Sequence, residues 1–425
     1  MQRALISAVT FVALSSLPAS ALTPEKTERV TVNSRGAQSN KGGGNGGLDL
    51  SFNGRIVAFD SLSANLAPGD GNHVFDVFVR DRIAGTTRRV SVATGGGQGN
   101  GNSVAPTVSA LGRYVTFGSI ASNLVANDTN VDWDVFLHDR RSGTTERISV
   151  GSGGAQGNGP STNSDVSRLG RHVAFASTAS NLVSSDTNNS NDVFVRDRQI
   201  ATLARVSIGS AGQQGNGASF EPSISFDGRF VAFVSNASNL VDGDSNARAD
   251  VFVRDRRLNT TARISVTSAG AQSNDDSSAA AISGNGRYVA FASAANNLVP
   301  GSTNDITDVF VHDRVTGVTA LISDVDVNKN LGSGEPSISA DGRYVAFSTV
   351  SDVGGISLKT DLFRVDRQTG TKTVVSVNNR GEEANDQSFF PVVAGDGRDV
   401  LFGSRATNLV PDDTNGALDV FVRDR

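Results

Sequence analysis

The chain has 425 residues, with 38 Lys and Arg against 43 Asp and Glu, and it contains no cysteine. That balance, with no basic run interleaved with aromatics, argues against nucleic acid as a partner. The missing cysteine excludes disulfides and thiolate metal sites, and 46 glycines among many Ser, Asn and Asp point to an all-β chain rich in tight turns.

Residues 1–21 read as a signal peptide to be set aside before fold reasoning. Arg3 gives a positive start, Ala4 to Leu17 is largely apolar, and Ala19-Ser20-Ala21 is a small-residue cleavage site. The apolar run is too short to span a bilayer, and no later stretch approaches the roughly 20 apolar residues a membrane helix needs. The expectation is export to the periplasm or the medium, with residues 22–425 as one domain. A domain of that size buries enough apolar surface to fold without disulfides.

Beyond the leader, a Gly-Arg step returns seven times, at Arg55, Arg113, Arg171, Arg229, Arg287, Arg343 and Arg398. The interval is 58 residues four times, then 56 and 55. A period of this size, filled with short apolar runs and turn residues, marks a ring or solenoid. In the copy around Arg229, Pro222–Ser225 is extended and Phe226-Asp227-Gly228 turns. Arg229–Ser235 and Asp250–Asp255 are strands, and Ala262–Val266 is a fourth. Four strands joined to their sequence neighbours predict an antiparallel meander. The second and third are apolar on both faces, so each sheet must be covered on both sides. A blade packed between like blades meets that demand.

The last copy stops after its third strand, at Asp419–Arg425. Thr27–Asn40 parallels Thr261–Asn274, which supplies the missing strand from the other end of the chain. The reading is a closed seven-bladed β-propeller of four-stranded antiparallel blades, the last completed by the N-terminal strand. Closure would remove an edge that invites aggregation.

The units Ser339-Ala-Asp-Gly-Arg-Tyr-Val-Ala-Phe347 and Asp192-Val-Phe-Val-Arg-Asp197 resemble the TolB-like propeller repeat of bacterial exported proteins. That resemblance implies a periplasmic or secreted propeller that binds other molecules. Some relatives carry a serine-peptidase domain after the propeller. No Gly-x-Ser-x-Gly occurs here, so that activity does not carry over. Others are polysaccharide lyases that use clustered histidines and a metal. Here His73, His138, His172 and His312 form no cluster with ligand spacing.

Connection lengths divide the ring into a face of tight turns and a face of long loops, and binding usually resides in loops held by a rigid scaffold. The loops of copies five and six depart from the repeat: the sixth copy is three residues short between Phe347 and Asp361, and two more are missing ahead of it between Ile322 and Arg343. An Asp-x-Asn-x-x-x-Asp pattern occupies one long loop: Asp70, Asn72, Asp76; Asp128, Asn130, Asp134; Asp186, Asn188, Asp192; Asp244, Asn246, Asp250; Asp413, Asn415, Asp419. Alternating oxygen ligands suit calcium. Yet the fifth position is Val74, Asp132, Ser190, Arg248 or Ala417, and the bending glycine is absent. The alternative is turn capping by Asp and Asn.

The other long loop carries Gln-x-Asn: Gln38 and Asn40, Gln98 and Asn100, Gln156 and Asn158, Gln214 and Asn216, Gln272 and Asn274. These amides suit sugar hydroxyls, or they tie one blade's loop to the next. The non-repeated Asp132 and Glu221, and the lone Trp133, fall on the same face. No catalytic residue is assigned. The expectation is a monomeric, non-catalytic interaction module binding a protein or glycan through its long-loop face. The alternative is a carbohydrate-active enzyme using acids of that face, with calcium.

Overall fold

The computed structural model describes residues 25–44, 46–300, 306–324, 330–353 and 357–424. The segment expected as a signal peptide lies outside them. The described strands number 28, grouped into seven four-stranded antiparallel sheets.

Blade four shows why the sequence folds this way. Its strands are Ser219–Ile224, Phe230–Ser235, Asp250–Asp255 and Thr260–Arg263. The turn into the second is set by Ser225, whose hydroxyl bonds Asp227 at 2.7 Å, and by Gly228 at φ 73°. A side chain there would also strike His172 of the neighbouring blade, so only glycine fits. Phe233 opposes Phe252 in register, with ring centroids 5.9 Å apart. Equivalent pairs recur in every blade, from Phe59 and Phe78 to Phe402 and Phe421. The core lies between blades: Val193 and Val195 of blade three pack with Val231 and Phe233 of blade four. Each such phenylalanine is worth about 3–5 kcal/mol against alanine.

The fourth strand runs Thr260–Arg263, earlier than the expected Ala262–Val266. The ladder ends there because the Ser265 hydroxyl accepts the Val251 N–H at 3.2 Å. Val266 instead bridges Gln272.

The ring closes as the paired ends of the sequence imply. Thr27–Arg29 pairs antiparallel with Asp419–Arg423, Thr27 opposite Arg423 and Arg29 opposite Phe421. The Thr27 hydroxyl also bonds the Val377 carbonyl at 2.6 Å, tying the closing strand to the neighbouring loop.

First strands of all seven blades line a central channel, with Leu50, Val108, Val166, Ile224, Ile282, Ile338 and Val393 facing it. In blades two to seven that strand is bulged at a left-handed residue: Ala105, Asn163, Glu221, Ala279, Glu335 and Phe390, all with φ between 51° and 54°. A bulge re-aims side chains, and these six sit near the channel's long-loop mouth. At the opposite end Phe52 and Phe226 meet across the ring, centroids 6.0 Å apart.

Candidate functional site

On the long-loop face, the carboxylates of the Asp-x-Asn pattern surround an arginine from their own blade's fourth strand. Arg89 Nη1 lies 3.2 Å from Asp70 and 3.6 Å from Asp76. Arg147 lies 3.1 and 3.3 Å from Asp128 and Asp134, and Arg205 lies 3.3 and 3.1 Å from Asp186 and Asp192. Arg263 lies 3.1 and 3.3 Å from Asp244 and Asp250. In blade seven Arg29 of the closing strand reaches Asp413 at 3.5 Å.

The second aspartate of each set is buried and satisfied further. Asp76 accepts from Ser91 at 2.5 Å, and Asp192 from Ser207 at 2.5 Å. Burial raises the pKa of Asp70, Asp128, Asp186, Asp244 and Asp413 above the usual carboxylate value.

The asparagines present their N–H groups, not their oxygens, to this centre. Asn72 donates to Asp76 at 3.0 Å, Asn188 to Asp192 at 3.3 Å, Asn246 to Asp250 at 3.1 Å and Asn415 to Asp419 at 2.9 Å. Asn130 donates instead to the Gly157 carbonyl at 3.1 Å. The side-chain oxygens of Asn72, Asn188, Asn246 and Asn415 accept from the backbone two residues on, in Asx turns. Among the described residues no group of three His, Asp or Glu is arranged to hold a metal ion.

The Gln-x-Asn loops bind in two directions. Gln98 donates to Asp70 at 2.9 Å within blade one, while Asn100 donates to Ser122 of blade two at 3.0 Å. Gln156 and Gln214 reach Asp128 and Asp186 at 2.9 Å each, as Asn158 and Asn216 reach Ser180 and Ser238. Gln38 reaches Asp413 at 2.8 Å, and the Asn40 N–H bonds Asn65. Gln272 donates to Ser245, and Asn274 to Asn296. From blade seven through blade one to blade five the rim is thus a hydrogen-bonded belt running from blade to blade. Trp133 is half-buried over Gly118, its carbonyl accepting the Ser161 N–H at 2.7 Å, and Asp132 beside it is half-buried.

This pattern fails at blades five and six. Leu321 and Val374 stand where the arginine would be, opposite Phe310 and Phe363. In blade six Lys359 replaces it from the loop side, 3.2 Å from Asp361 and 3.0 Å from Glu383. Its second and third strands run Tyr344–Val353 and Ser357–Asp366, ten residues each against six in blade four. The shortening between Phe347 and Asp361 therefore replaces a loop with a taller hairpin. The shortening expected ahead of Arg343 falls partly on residues 325–329, outside the described residues.

The channel holds acids the sequence reading missed. Asp49 accepts from the Val108 N–H at 2.6 Å and Asp165 from Ile224 at 2.7 Å, each joining its blade to the next. Burial drives their pKa values to about 7 and about 6. At the mouth Glu221, expected on this face from the sequence, accepts from Ala279 at 3.1 Å, and Glu335, which was not, accepts from Phe390 at 2.9 Å. Phe390 is 41% exposed. The signal was available: these residues break the repeat in otherwise matching first strands.

The histidines are dispersed. His138 and His312 bond Thr145 and Thr319 at 2.9 Å, filling the position of Arg254, which bonds Thr261. Burial lowers both pKa values, favouring the neutral ring. His172 lies 3.2 Å from Asp197.

No family model and no curated protein matches this sequence. Solved structures do match in fold. Oligogalacturonate lyase in complex with manganese has a TM-score of 0.56 at 11% identity, covering 95% of this chain and 96% of that one. The β-propeller domain of the Trilobed protease from Pyrococcus furiosus has a TM-score of 0.52 at 11% identity, covering 89% and 92%. TolB from Acinetobacter baumannii is also similar, with a TM-score of 0.40 at 13% identity, covering 86% and 77%. At these identities the likeness shows the fold: the chain is a seven-bladed β-propeller.

Proposed function

We propose that the protein is an exported, monomeric, non-catalytic interaction propeller. Its protein or glycan partner docks at the channel mouth on the long-loop face, beside the blade-six hairpin. One observation carries this reading: the repeated rim carboxylates are spent on arginines and glutamines of the protein itself. A carboxylate so engaged is a poor general acid, nucleophile or calcium ligand. What remains unlike the repeat is the mouth, with Glu221, Glu335 and the exposed Phe390, and the tall hairpin. A rigid belt around an irregular centre is a scaffold that presents a few side chains without ordering loops on binding.

The carbohydrate-active alternative rests on Asp49 and Asp165, two buried carboxyls in one channel. Both are bonded to backbone N–H groups between blades, which favours structure over turnover. The manganese named with the lyase does not transfer, because His138, His172 and His312 bond separate partners in blades two, three and five.

The test is capture of partners, and a glycan array, with the mature protein and with Phe390→Ala and Glu221→Gln. Loss of capture in the variants, with an unchanged melting temperature, supports the reading. Equal capture by both variants places the partner elsewhere. Polysaccharide turnover abolished by Asp165→Asn replaces binding with catalysis.

A further inference from the structure

We infer that the groove between blades one and two on the tight-turn face binds a dianionic phosphoryl or sulfate group through Arg140 and Arg141, with the charge of Arg88 adding to theirs. The argument is a comparison of six equivalent arginines that follow the third strand: Arg82, Arg140, Arg198, Arg256, Arg314 and Arg367. Each donates to the glycine carbonyl of its own blade's first turn, which draws its guanidinium under the neighbouring blade. A half-buried cation needs compensation there.

Four of the six have it from a ring or an ion pair, and a fifth from the balance of nearby charge. Arg198 lies 4.7 Å from the Tyr114 ring and pairs with Glu146. Arg314 lies 4.1 Å from the Phe230 ring, and Arg367 lies 4.4 Å from that of Tyr288. Arg82 pairs with Asp399 at 3.3 Å and Asp424 at 2.6 Å, and with Glu28. Arg256 has the charges of Asp197 and Asp227 in its favour against that of Arg171 alone.

Arg140 has neither kind of partner. The ring position is Ile56, and the position of Glu146 in the preceding fourth strand is Arg88. Burial above all disfavours its cation; the charge of Asp81 is the next influence and favours it, and those of Arg88 and Arg55 both oppose it. Asp81 and Asp139 are already held bidentate, by Arg55 at 3.0 and 2.8 Å and by Arg113 at 2.9 and 2.6 Å. Arg55, Arg113, Arg140 and Arg141 therefore face one spent carboxylate, Asp81, around a groove of about 330 Å³ with Ile56 and Leu111 on its wall, and the charge of Arg88 reaches Arg140 from beside it. The volume admits one oxyanion group, the apolar wall strengthens its attraction, and guanidinium forks match its oxygens. The excess of cations favours a dianion over a carboxylate. This site lies on the opposite face from the proposed partner mouth, so the two proposals fail separately.

Calorimetry on the mature protein at low ionic strength tests it. The probes are inorganic phosphate, inorganic sulfate and a sulfated hexasaccharide, with sodium chloride at matched ionic strength as the blank. Binding is expected to weaken at least about tenfold in Arg140→Gln and Arg88→Glu and to stay unchanged in Arg257→Gln, an exposed turn arginine of blade four. Arg88→Glu recreates the Glu146–Arg198 pair, so it should lose the anion while melting no lower than wild type. That result separates a lost site from a lost fold. Tighter binding of the hexasaccharide than of phosphate assigns the group to a glycan, and equal binding assigns it to the free ion. No heat above the chloride blank, or equal binding by Arg88→Glu, overturns the site.

Discussion

On the long-loop face Arg89 is 9% exposed and lies between two carboxylates, Asp70 and the fully buried Asp76. On the tight-turn face Arg55 is 44% exposed and grips one carboxylate, Asp81. Both are ion pairs repeated around the ring, but the physics differs. In the buried arrangement desolvation works against ionisation, raising the first aspartate of each set. In the exposed arrangement the arginine's hydrogen bonds dominate, holding Asp197 and Asp366 at about 2. Repetition alone therefore does not rank interactions. Removing one partner of a buried network strands a charge, whereas removing an exposed partner returns a charge to water.

The largest expected effect breaks that comparison at one blade. Arg205→Ala leaves Asp186 and Asp192 facing each other and should cost about 3–5 kcal/mol in urea unfolding. Arg171→Ala, in the same blade but on the other face, should shift the midpoint by a small fraction of that. Equal losses would show that the two rims are energetically alike.

How far this was readable in the sequence depends on the range of the interaction. The seven blades and the closing strand were legible because burial imposes the same apolar pattern at each repeat, as in Val231, Phe233 and Phe252. The Asp-x-Asn pattern was legible too, but its partner was not sought 13 residues past the last aspartate, where Arg89, Arg147, Arg205 and Arg263 stand. The clue was joint loss: Leu321 and Val374 replace that arginine in the copies that also lose Asp-x-Asn. The groove around Arg140 was hidden for another reason. Its cations come from two blades, and the overall charge balance masks a local excess.

A second, smaller effect concerns pH. Asp49 and Asp399 are raised to about 7 and Asp165 to about 6, chiefly by burial. A raised carboxyl favours the folded state when protonated, so its contribution is full below the ordinary carboxylate value of 3.8 and is lost progressively as pH rises from there through 6 to 7. The depressed Asp197 and Asp366 act oppositely. Their contribution is full above the ordinary carboxylate value of 3.8 and is lost as pH falls towards 2. The melting temperature should therefore be highest near about pH 4 and decline towards about pH 7. Asp49→Asn, which mimics the protonated form, should raise it by about 2 °C at pH 8, by less at pH 5 and not at all below about pH 4. A pH-independent change would mean that Asp49 is neutral, or charged, throughout.

The smallest expected effect is also the sharpest test of the buried rim. If each guanidinium serves as the counter-ion of its aspartate pair, wild-type protein should show no melting shift with about 5 mM calcium, enough to load even weak extracellular sites. Deleting the cation should reverse this. In Arg147→Gln the Asp128 and Asp134 carboxylates lose the charge now 3.1 and 3.3 Å away, and the freed oxygens can accept a hard cation. Calcium should then recover part of the lost stability in this variant, while magnesium, which demands stricter geometry and sheds water reluctantly, should recover less. A calcium shift in the wild type would mean that the loops bind metal alongside the arginine. No recovery in the variant would mean that the asparagine N–H groups, rather than the arginine, keep cations out.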